Sequence, residues 1–582
     1  MAERFQFFDG VALAAVVAEL GALGECRIDK VGQASGNVLY LLLRAGGKNL
    51  KLLINVQERW ARLHLTTRAL ANVPVPSSFT MQLRKHLEGS RLLRVEQPGL
   101  ERVARLVVAG RDELGDPFER VLVAELIGKY ANLFLVDGAD GVVMGCLRPV
   151  TEEMCRVRQL GPGLPYDPPP AEKPDFTTVG EDVVLAALGR GGKLADALSG
   201  QVSGLSRVAA AQLVVAAGLP ADARTDDVEG LEALLDVVRR AQVSLAARAF
   251  HVRLEAGPTW DYQCWALDGA RDGGASAFFD AYYGGREERF GLDERRRKIA
   301  GDVGTAVRKQ AERVAGWREQ LAKSEKADRE RELGDLLTAH MYMLAPGMAE
   351  VEVTDFYAEE QPTIVLKLDA RLTPSENAQR HFRRYQKLRN ARTALDQLLG
   401  EGEAELAYLA QVETAVAIAT SARDLAEVAE ELAGYQGKPP VPLRRGEKPE
   451  APAPLKFTSS DGLPIWVGKN NKQNDHLTFK LARAGDWWLH TQNIPGSHVL
   501  VQAEGEVPER TLHEAAMLAA FFSQARSSSR VPVVYTRRKH VRKPRGARPG
   551  MVIYDHERTL FVDPEGALQL TATPAAGSPP GR

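Results

Sequence analysis

Apolar residues in the first part of the chain follow both helical and strand spacing. Residues 8–23 have apolar side chains at helical intervals, and Asp9 is a candidate N-cap for that helix. Apolar runs typical of strands follow at 38–43, 50–56, 102–109, 120–126 and 133–136. The proline-dense segment GPGLPYDPPPAEKP then excludes both a helix and a central strand. The pattern predicts a mixed α and β domain.

The next stretch has short elements with helical periodicity. Predicted helices cover 181–188, 194–198, 206–217 and 227–247. The turn Ser203-Gly204-Leu205-Ser206 is typical of a helix-turn-helix or helix-hairpin-helix element, whose backbone N–H groups can bind a phosphate. An ordinary connection between helices explains the same residues, so both interpretations stay open.

Two long charged segments have apolar residues at steps of three and four, which is coiled-coil spacing. The residues in this pattern are Val303, Val307, Gln310, Val314, Trp317 and Leu321 in the first segment and Leu395, Leu399, Leu406, Leu409 and Val416 in the second. We expect an antiparallel arm of roughly 70 Å, with a small insert that contains a strand at 363–368. Two bundle helices in a compact domain are the alternative, but charge on the other positions favours an arm in solvent.

The remaining segments complete a multidomain α+β prediction. The Pro-rich segment 436–454 is a predicted linker, a last α/β domain follows it, and residues 576–582 are expected to be disordered. The predicted division is 1–172, 173–250, 251–437, a linker at 438–455, 456–570 and a tail at 571–582.

Charge is balanced over the whole chain but not along it. The 582 residues include 75 basic and 76 acidic side chains, which give a net charge of −1. Residues 515–554, however, contain Lys and Arg but no Asp or Glu. Such a basic block favours contact with a nucleic-acid backbone over a solvated charge run.

The cysteines and the hydropathy pattern indicate the cellular compartment of the protein. The four cysteines form no CxxC pair, which argues against a cysteine-rich zinc site and a disulfide framework. The first residues have no apolar core of signal-peptide length, and no run of 18 apolar residues occurs. These patterns predict a cytoplasmic protein with no membrane association.

Three stretches of the chain resemble a known family. They are MQLRKHLEGSRLLRVEQPGLERV at 81–103 with AELIGKYANLFLVDG at 124–138, LDARLTPSENAQRHFRRYQKLRNA at 368–391, and GDWWLHTQNIPGSHVLV at 485–501 with LHEAAMLAAFFSQARSSSRVPVVYT at 512–536 and VRKPRGARPGMVIY at 541–554. Together they are similar to the NFACT family, whose bacterial members are the RqcH-like ribosome quality control proteins, also labelled fibronectin-binding protein A-like. The resemblance covers nearly the whole chain in order.

The resemblance implies a fold and a function. It implies an N-terminal domain on a DNA-glycosylase-like scaffold, a helix-hairpin-helix domain, a coiled-coil arm and a C-terminal RNA-binding domain. Members of the family bind large ribosomal subunits that carry a stalled peptidyl-tRNA, recruit tRNA, mainly alanyl-tRNA, and support C-terminal tailing without mRNA. The implied partners are ribosomal RNA, the stalk base, tRNA and a small RNA-binding co-factor of tailing. The ribosome makes the peptide bonds, so no catalytic residue, cofactor or metal is expected in the chain.

The resemblance assigns tRNA contacts to the N-terminal domain. The family has an Asp-Arg pair where this chain has Glu101 and Arg102. An arginine there can hold a phosphate with two parallel hydrogen bonds or stack on a base; from the residues alone, an adjacent Glu-Arg at a strand start is a solvated pair. A second family element matches the residues Glu125, Leu126, Ile127 and Lys129, with Ile127 in place of the usual Met. Lys129 can neutralise a phosphate, and the apolar pair is expected in the core.

Candidate RNA contacts in the last domain combine aromatic, histidine and basic residues. If 486–490 is a strand, Asp486, Trp488 and His490 share one face, and a turn brings His498 nearby. We expect Trp488 to stack on an exposed base and the histidines to contact phosphate or ribose. The pair lacks a third ligand at a spacing that would indicate a metal. The basic candidates are Arg537, Arg538, Lys539, Arg542 and Lys543.

Two other functions compete with the ribosome factor. A DNA-glycosylase-like enzyme would share the N-terminal scaffold, but that chemistry uses an N-terminal proline amine and often a four-cysteine zinc finger, and neither is present in this sequence. A cell-surface adhesin that binds fibronectin is the function that the older family label suggests. The sequence contains no signal peptide or wall anchor that would support it.

Overall fold

The computed structural model describes residues 5–112, 114–170, 173–189, 191–225, 231–255, 257–267, 274–324, 326–439, 453–570 and 572–573. The described residues form a mixed α+β protein with long helices, and the chain divides into a unit at Met1–Arg289 and a unit at Phe290–Arg582. The part of the predicted linker at 440–452 and the tail at 574–582 lie outside the described residues.

The first unit is built on an antiparallel sheet. Its first elements are α1 (Gly10–Gly21), β1 (Cys26–Ser35), β2 (Val38–Ala45), β3 (Lys48–Asn55), β4 (Arg62–Leu65), α2 (Ser78–Leu87), β5 (Arg91–Glu96), β6 (Val103–Arg111), β7 (Pro117–Glu125), β8 (Asn132–Asp137) and β9 (Val143–Cys146). Within the described residues, these nine strands have the order β4-β3-β2-β1-β5-β6-β7-β8-β9. Each apolar run predicted as a strand belongs to this sheet, and Asp9 caps α1 by accepting a hydrogen bond from the backbone N–H of Ala12 at 3.0 Å.

Helices and a hairpin complete the first unit. They are α3 (Glu181–Leu188), α4 (Leu194–Gln201), α5 (Arg207–Ala216), α6 (Leu231–Ala246), β10 (Phe250–Leu254) and β11 (Tyr262–Trp265). The four predicted helices are confirmed, although 226–230, at the start of the last one, lies outside the described residues. The N-terminal segment closes onto the hairpin, because Gln6 Oε1 accepts hydrogen bonds from the backbone N–H groups of Asp261 at 3.0 Å and Tyr262 at 3.1 Å.

Long helices dominate the middle of the chain. The elements are α7 (Ala275–Ser324), α8 (Ala327–Ala339), β12 (Glu350–Thr354), β13 (Thr363–Lys367), α9 (Pro374–Ile418) and α10 (Ala422–Tyr435). In the second unit, Arg296 donates to the carbonyl of Ala419 at 2.8 Å and Arg318 pairs with Glu403 at 2.6 Å. A later residue of α7 therefore contacts an earlier residue of α9, so the two helices are antiparallel along these stretches.

The contact between α7 and α9 is close at a glycine. Val303, Val314 and Gln310 on α7 are buried, as the predicted spacing requires. A Cβ atom added to Gly402 of α9 would lie 2.7 Å from a ring carbon of Trp317 and 2.9 Å from a methyl carbon of Val314. The helices pack this tightly because residue 402 has no side chain.

The C-terminal part of the second unit is an α/β domain. Its elements are β14 (Leu455–Thr458), β15 (Pro464–Val467), α11 (Asn471–His476), β16 (Trp487–Thr491), β17 (Val499–Val501), α12 (Glu509–Phe521), β18 (Val531–Arg537), β19 (Val541–Arg542), β20 (Ile553–Tyr554), β21 (Arg558–Val562) and β22 (Ala572–Thr573). The main sheet of the described residues has the order β21-β18-β16-β17-β15-β14-β22. One face packs on α12 through an alanine-rich core that includes Ala515, Ala519 and Leu489.

None of the described helices combines the length and the hydropathy that a bilayer crossing requires.

Candidate nucleic-acid interfaces

Glu101 and Arg102 line a cavity of about 400 Å³ in the first unit. The cavity lies where the turn before β6 meets the N-termini of α1 and α5. Two glycines allow this approach: a Cβ on Gly10 would lie 1.8 Å from the carbonyl oxygen of Leu100, and one on Gly204 would lie 2.5 Å from the Leu100 Cβ. Gly204 also has a φ of +80°, which favours glycine.

Asp9 joins the two helix ends at this cavity. Its Oδ1 caps α1, while its Oδ2 accepts a hydrogen bond from Ser206 Oγ at 2.5 Å. Ser206 Oγ in turn caps α5 by accepting from the N–H of Ala209 at 3.0 Å. Burial raises the pKa of Asp9, and the bond from Ser206 opposes that shift. The carboxylate is therefore a structural link between distant parts of the chain.

The side chains of Glu101 and Arg102 are half-buried and unpaired. Among the described residues, neither side chain has a hydrogen bond or an ion pair within 4.0 Å, and the two are not paired with each other. The backbone is fixed, since the Arg102 carbonyl accepts from the N–H of Leu126 at 2.7 Å. A cation anchored through its backbone just before β6, with its donors free, can bind an anionic ligand.

Other residues of the cavity were not predicted from the sequence. Phe7, at the rim, is 56% exposed, although a phenylalanine is usually buried. Arg207 also lines the cavity but pairs with Asp196 at 2.5 Å. The Ser-Gly-Leu-Ser turn was singled out in the sequence, and its residues Gly204 and Ser206 line the side of the cavity next to α5. Nothing in the sequence places Phe7 beside Arg102.

Glu125 belongs to the interior of the sheet, which corrects the expectation of a direct tRNA contact. It is 2% exposed, and its oxygens accept hydrogen bonds from Arg158 at 2.5 and 3.0 Å. Tyr166 donates a third hydrogen bond at 2.8 Å. Leu126 is fully buried, and Ile127 packs against the core, as expected for the apolar pair. The carboxylate has no free oxygen face for RNA because its neighbours already occupy it.

Lys129 is available on the surface. It is exposed, and its Nζ lies 4.9 Å from the centre of the Tyr130 ring, which is 62% exposed. Both residues line a mainly apolar cavity of about 270 Å³, to which Met154 contributes a side chain that is 64% exposed. A cation beside an open aromatic ring is a combination that suits RNA.

Trp488 is not exposed, so the expected stacking on an RNA base is wrong. The residue is fully buried on the sheet face opposite α12, where it packs with Val534 and Val541. Its ring stacks on His490 with a centroid distance of 5.8 Å and meets His498 edge-on at 5.1 Å. The alternation along the strand was predicted correctly, but β20 covers the face that was expected to be exposed, with the Tyr554 ring centre 5.3 Å from that of Trp488.

The histidines of this cluster are neutral structural groups. Burial lowers the pKa of His490 to about 4 and lowers that of His498 well below its usual value. His498 Nδ1 lies 2.8 Å from Thr478 Oγ1. Asp486 is also buried and accepts a hydrogen bond from the N–H of Arg483 at 2.8 Å. Direct phosphate contacts by these three side chains are therefore contradicted by their burial.

Some cations of the basic block have acidic partners that lie outside the block. Arg542 pairs with Asp555, Lys543 with Asp475, and Arg548 with Glu405. The Arg548 guanidinium also lies 4.9 Å from the Tyr408 ring and 4.8 Å from the Tyr435 ring. The local absence of acidic residues in the sequence thus overstated the free charge.

Arg537, Arg538 and Lys539 have no acidic partner among the described residues. Arg538 donates its Nε–H to the carbonyl of Thr478 at 2.7 Å, so it is partly engaged. Lys539 is exposed, and its ammonium has no hydrogen-bond or ion-pair partner among the described residues. Together with Arg537 and the unpredicted Arg483, Lys539 lines an open basin of about 710 Å³. The described part of the chain contains no group of three or more His, Cys, Asp or Glu placed to hold a metal ion.

Comparisons with known proteins cover almost all of these elements. The family described as NFACT N-terminal and middle domains matches residues 9–439, and the NFACT protein RNA binding domain matches residues 454–555. A Bacillus subtilis protein named Rqc2 homolog RqcH is 36% identical over 549 residues, which are 93% of this chain and 94% of that protein. A Streptococcus suis protein of the same name is 31% identical over 96% of this chain and 98% of its own.

A solved structure from Streptococcus suis also matches. It is the C-terminal part of a fibronectin/fibrinogen-binding protein, 32% identical, and the match covers 47% of this chain and 95% of that chain with a TM-score of 0.36. Because the family matches extend from residue 9 to residue 439 and from 454 to 555, the chain belongs to the NFACT family.

Proposed function

We propose that this protein acts in ribosome quality control and supports mRNA-independent C-terminal tailing of stalled nascent chains. The names of the full-length relatives, Rqc2 homolog RqcH, support this role. Its partners would be the large ribosomal subunit with its peptidyl-tRNA and a recruited tRNA, which we take to be alanyl-tRNA. The ribosome would form the peptide bonds.

Arg102 carries the proposal at residue level. Its guanidinium lies on the wall of a cavity and has no hydrogen-bond or ion-pair partner among the described residues, although it attracts the Asp9 carboxylate at longer range, so a tRNA phosphate or base can occupy its donors. Glu101, in the same wall, would accept a hydrogen bond from the RNA. The exposed ring of Phe7 supplies a stacking surface at the rim. Lys129 with Tyr130 would add a second contact on the same unit, whereas Glu125 and Leu126 would hold the fold beneath it.

We propose that the other parts of the chain place this site on the ribosome. In the six-part division proposed above, the N-terminal scaffold and the helix-hairpin-helix segment hold the tRNA. The paired long helices form an arm that docks near the stalk base, and the C-terminal domain binds RNA through Arg537, Arg538 and Lys539, with weaker contributions from Arg542 and Lys543. A small RNA-binding co-factor of tailing would join this assembly.

The test is the tRNA that co-purifies with each variant, normalised to co-purified large subunit. Arg102→Ala should remove a charge-assisted contact of roughly 1.5–3 kcal/mol, and so lower bound tRNA about ten- to a hundredfold while subunit binding persists. Glu101→Asp should be nearly neutral, and Glu101→Ala should lower bound tRNA.

Arg105→Ala is the matched control. Arg105 lies three residues further on, in β6, is exposed, and has no hydrogen-bond or ion-pair partner among the described residues. The assignment fails if Arg102→Ala keeps wild-type tRNA, or if Arg105→Ala loses as much. Absence of the wild-type protein from large-subunit fractions, even after crosslinking at low salt, would overturn the ribosomal role itself.

A further inference from the structure

The basin in the C-terminal domain has walls of small residues. It is bounded by the loop before β16, the loop after β17 and the end of β18, and its volume is about 710 Å³. Ala484, Gly485, Ala503 and Gly505 line it, and a Cβ added to either glycine would meet nothing within 4 Å. Pockets of roughly 300–1,000 Å³ enclose ligands of drug size, so a nucleotide unit fits and a duplex does not.

Arg537 forms a fixed cationic wall. Its guanidinium carbon lies 4.0 Å from the centre of the Trp487 ring. Its Nη1 donates to the carbonyls of Gly485 at 2.6 Å and Gly505 at 3.2 Å. Among the described residues no acidic side chain pairs with it, so its Nε and Nη2 donors and its charge remain for a ligand. A guanidinium plane held in this way can also stack on a base.

Arg483 and Lys539 add flexible cations to the basin. Arg483 is 78% exposed and lies 3.5 Å from Glu504, which is 95% exposed; pairs of this kind contribute little. Lys539 has no hydrogen-bond or ion-pair partner among the described residues. Of the acids that line the basin, Asp486 is buried and accepts from the Arg483 N–H, and Glu504 can swing into solvent. Cations therefore dominate the exposed charge.

We infer that this basin binds the phosphodiester backbone of single-stranded RNA, with Arg483 and Lys539 on phosphate oxygens and Arg537 against the adjacent base or phosphate. The inference rests on the proposed RNA-binding function and deepens it, because it assigns the contact to one surface of the domain and adds Arg483. The paired cations Arg542, Lys543 and Arg548 lie outside this site.

The experiment measures binding of the full-length chain to a fluorescent single-stranded RNA oligonucleotide over a range of salt concentrations. Each phosphate contact to a single strand contributes about 0.7 to the slope of log K against log salt. Arg483→Ala with Lys539→Ala should therefore lower the slope by roughly 1.4 and the affinity by roughly 10- to 30-fold at 0.1 M salt. Arg483→Lys with Lys539→Arg should bind like wild type.

Two further variants make the result decisive. Arg526→Ala removes an exposed cation that lies away from the basin. Its turn is near the other end of β16, where the N–H of Gln524 donates to the carbonyl of Pro495. This variant should bind RNA like wild type. Ala503→Glu adds an acidic group to the basin without truncating a side chain and should weaken binding. Wild-type affinity in the double variant or in Ala503→Glu overturns the inference, as does an equal loss in Arg526→Ala.

A parallel titration with a poly-glutamate peptide separates the partner classes. Loss of peptide binding with unchanged RNA binding in the double variant would overturn the RNA assignment and indicate an acidic protein partner. Large-subunit association of the wild type, measured separately, decides the proposed function. If the wild type binds subunits while the double variant keeps full oligonucleotide affinity, the basin assignment alone fails.

Discussion

Neighbouring side chains decide what the arginines Arg102 and Arg158 of the first unit can do, since both are half-buried. Arg102 lines a cavity and its donors have no hydrogen-bond partner among the described residues, whereas Arg158 donates hydrogen bonds to the buried Glu125 carboxylate. The two side chains have the same chemistry, so residue type alone does not distinguish their roles. Their neighbours make one a candidate ligand contact and the other part of the scaffold.

Replacement of Glu125 by Ala should destabilise the first unit. The change leaves the Arg158 guanidinium, whose side chain is 13% exposed, without its carboxylate, and uncompensated buried charges cost about 3–5 kcal/mol. Glu119→Ala, an exposed glutamate on the same strand, should change stability by less than about 0.5 kcal/mol. Thermal melts of the full chain measure both. Equal melting temperatures for wild type and Glu125→Ala would return Glu125 to the RNA-contact candidates.

The buried histidines predict a loss of stability in mild acid. The pKa of His490 is about 4 in the folded state against 6.5 for the free group, so the unfolded state binds more protons between these values. Stability present above pH 6.5 is then lost as pH falls, by about 2 kcal/mol at pH 5. His490→Phe should reduce the pH dependence of the melting temperature between pH 7 and 5, although His498, shifted in the same direction, keeps part of it. His513→Phe, an exposed control, should leave the dependence intact, and an unchanged slope in His490→Phe would contradict this account.

Secondary structure was more predictable than exposure. Alternation placed Trp488 and His490 on one face of β16, and the structure keeps them there. That face is covered by Tyr554 of β20, more than fifty residues later in the chain. Sequence spacing cannot report such a contact, since it depends on how a distant segment folds back. The same limit hid the acidic partners of Lys543 and Arg548.

At the scale of elements, the long helices follow their apolar spacing with one informative exception. Leu409 and Val303 are buried as predicted, and Tyr408, which the spacing did not select, is buried beside them. Tyr408 faces inward because α10 packs there through Val428 and Leu432. Apolar spacing along two helices does not predict that a third helix, α10, packs against them.

Two glycines of α9 should respond oppositely to the same substitution. Gly402→Ala places a methyl group against Trp317 and Val314, and overpacking of this kind costs about 1–3 kcal/mol. Gly400→Ala meets nothing within 4 Å and should stabilise the helix by up to about 1 kcal/mol. Melting temperatures of the full chain should therefore move in opposite directions. A shift of the same sign in both variants would show that the helices are not in tight contact at residue 402.

At the scale of the whole molecule, the outer part of the proposed arm, residues 311–401, can be removed while the helix segments up to 310 and from 402 are kept. Gln310 Nε2 lies 3.4 Å from the carbonyl of Gly402, so a glycine linker of about four residues can join positions 310 and 402. The apolar cluster of Val303, Val412 and Val428 is retained. Deletion of 311–401 should spare folding of the C-terminal domain and weaken association with large ribosomal subunits in a sucrose gradient.

A matched variant replaces 311–401 with the same linker and carries Arg102→Ala in addition. If the arm docks on the subunit and Arg102 holds tRNA, the added substitution should lower tRNA binding without a further loss of subunit association. Unchanged subunit association in the deletion would show that the arm is not a docking element.

The bonds of Gln6 and Asp9 have a consequence for the timing of synthesis. Gln6 is hydrogen bonded to residues 261 and 262, and Asp9 to Ser206. At roughly 5–20 residues per second, about 13–50 s separate the translation of residue 6 from that of its partners. Ser206 is translated roughly 10–40 s after residue 6, and until then the start of α1 has no Ser206 to bond and the wall of the cavity at α5 is missing. If the cavity binds tRNA as proposed, a nascent chain interrupted before residue 206 lacks part of that site, and Gln6 gains its partners only after the hairpin of β10 and β11 has left the ribosome.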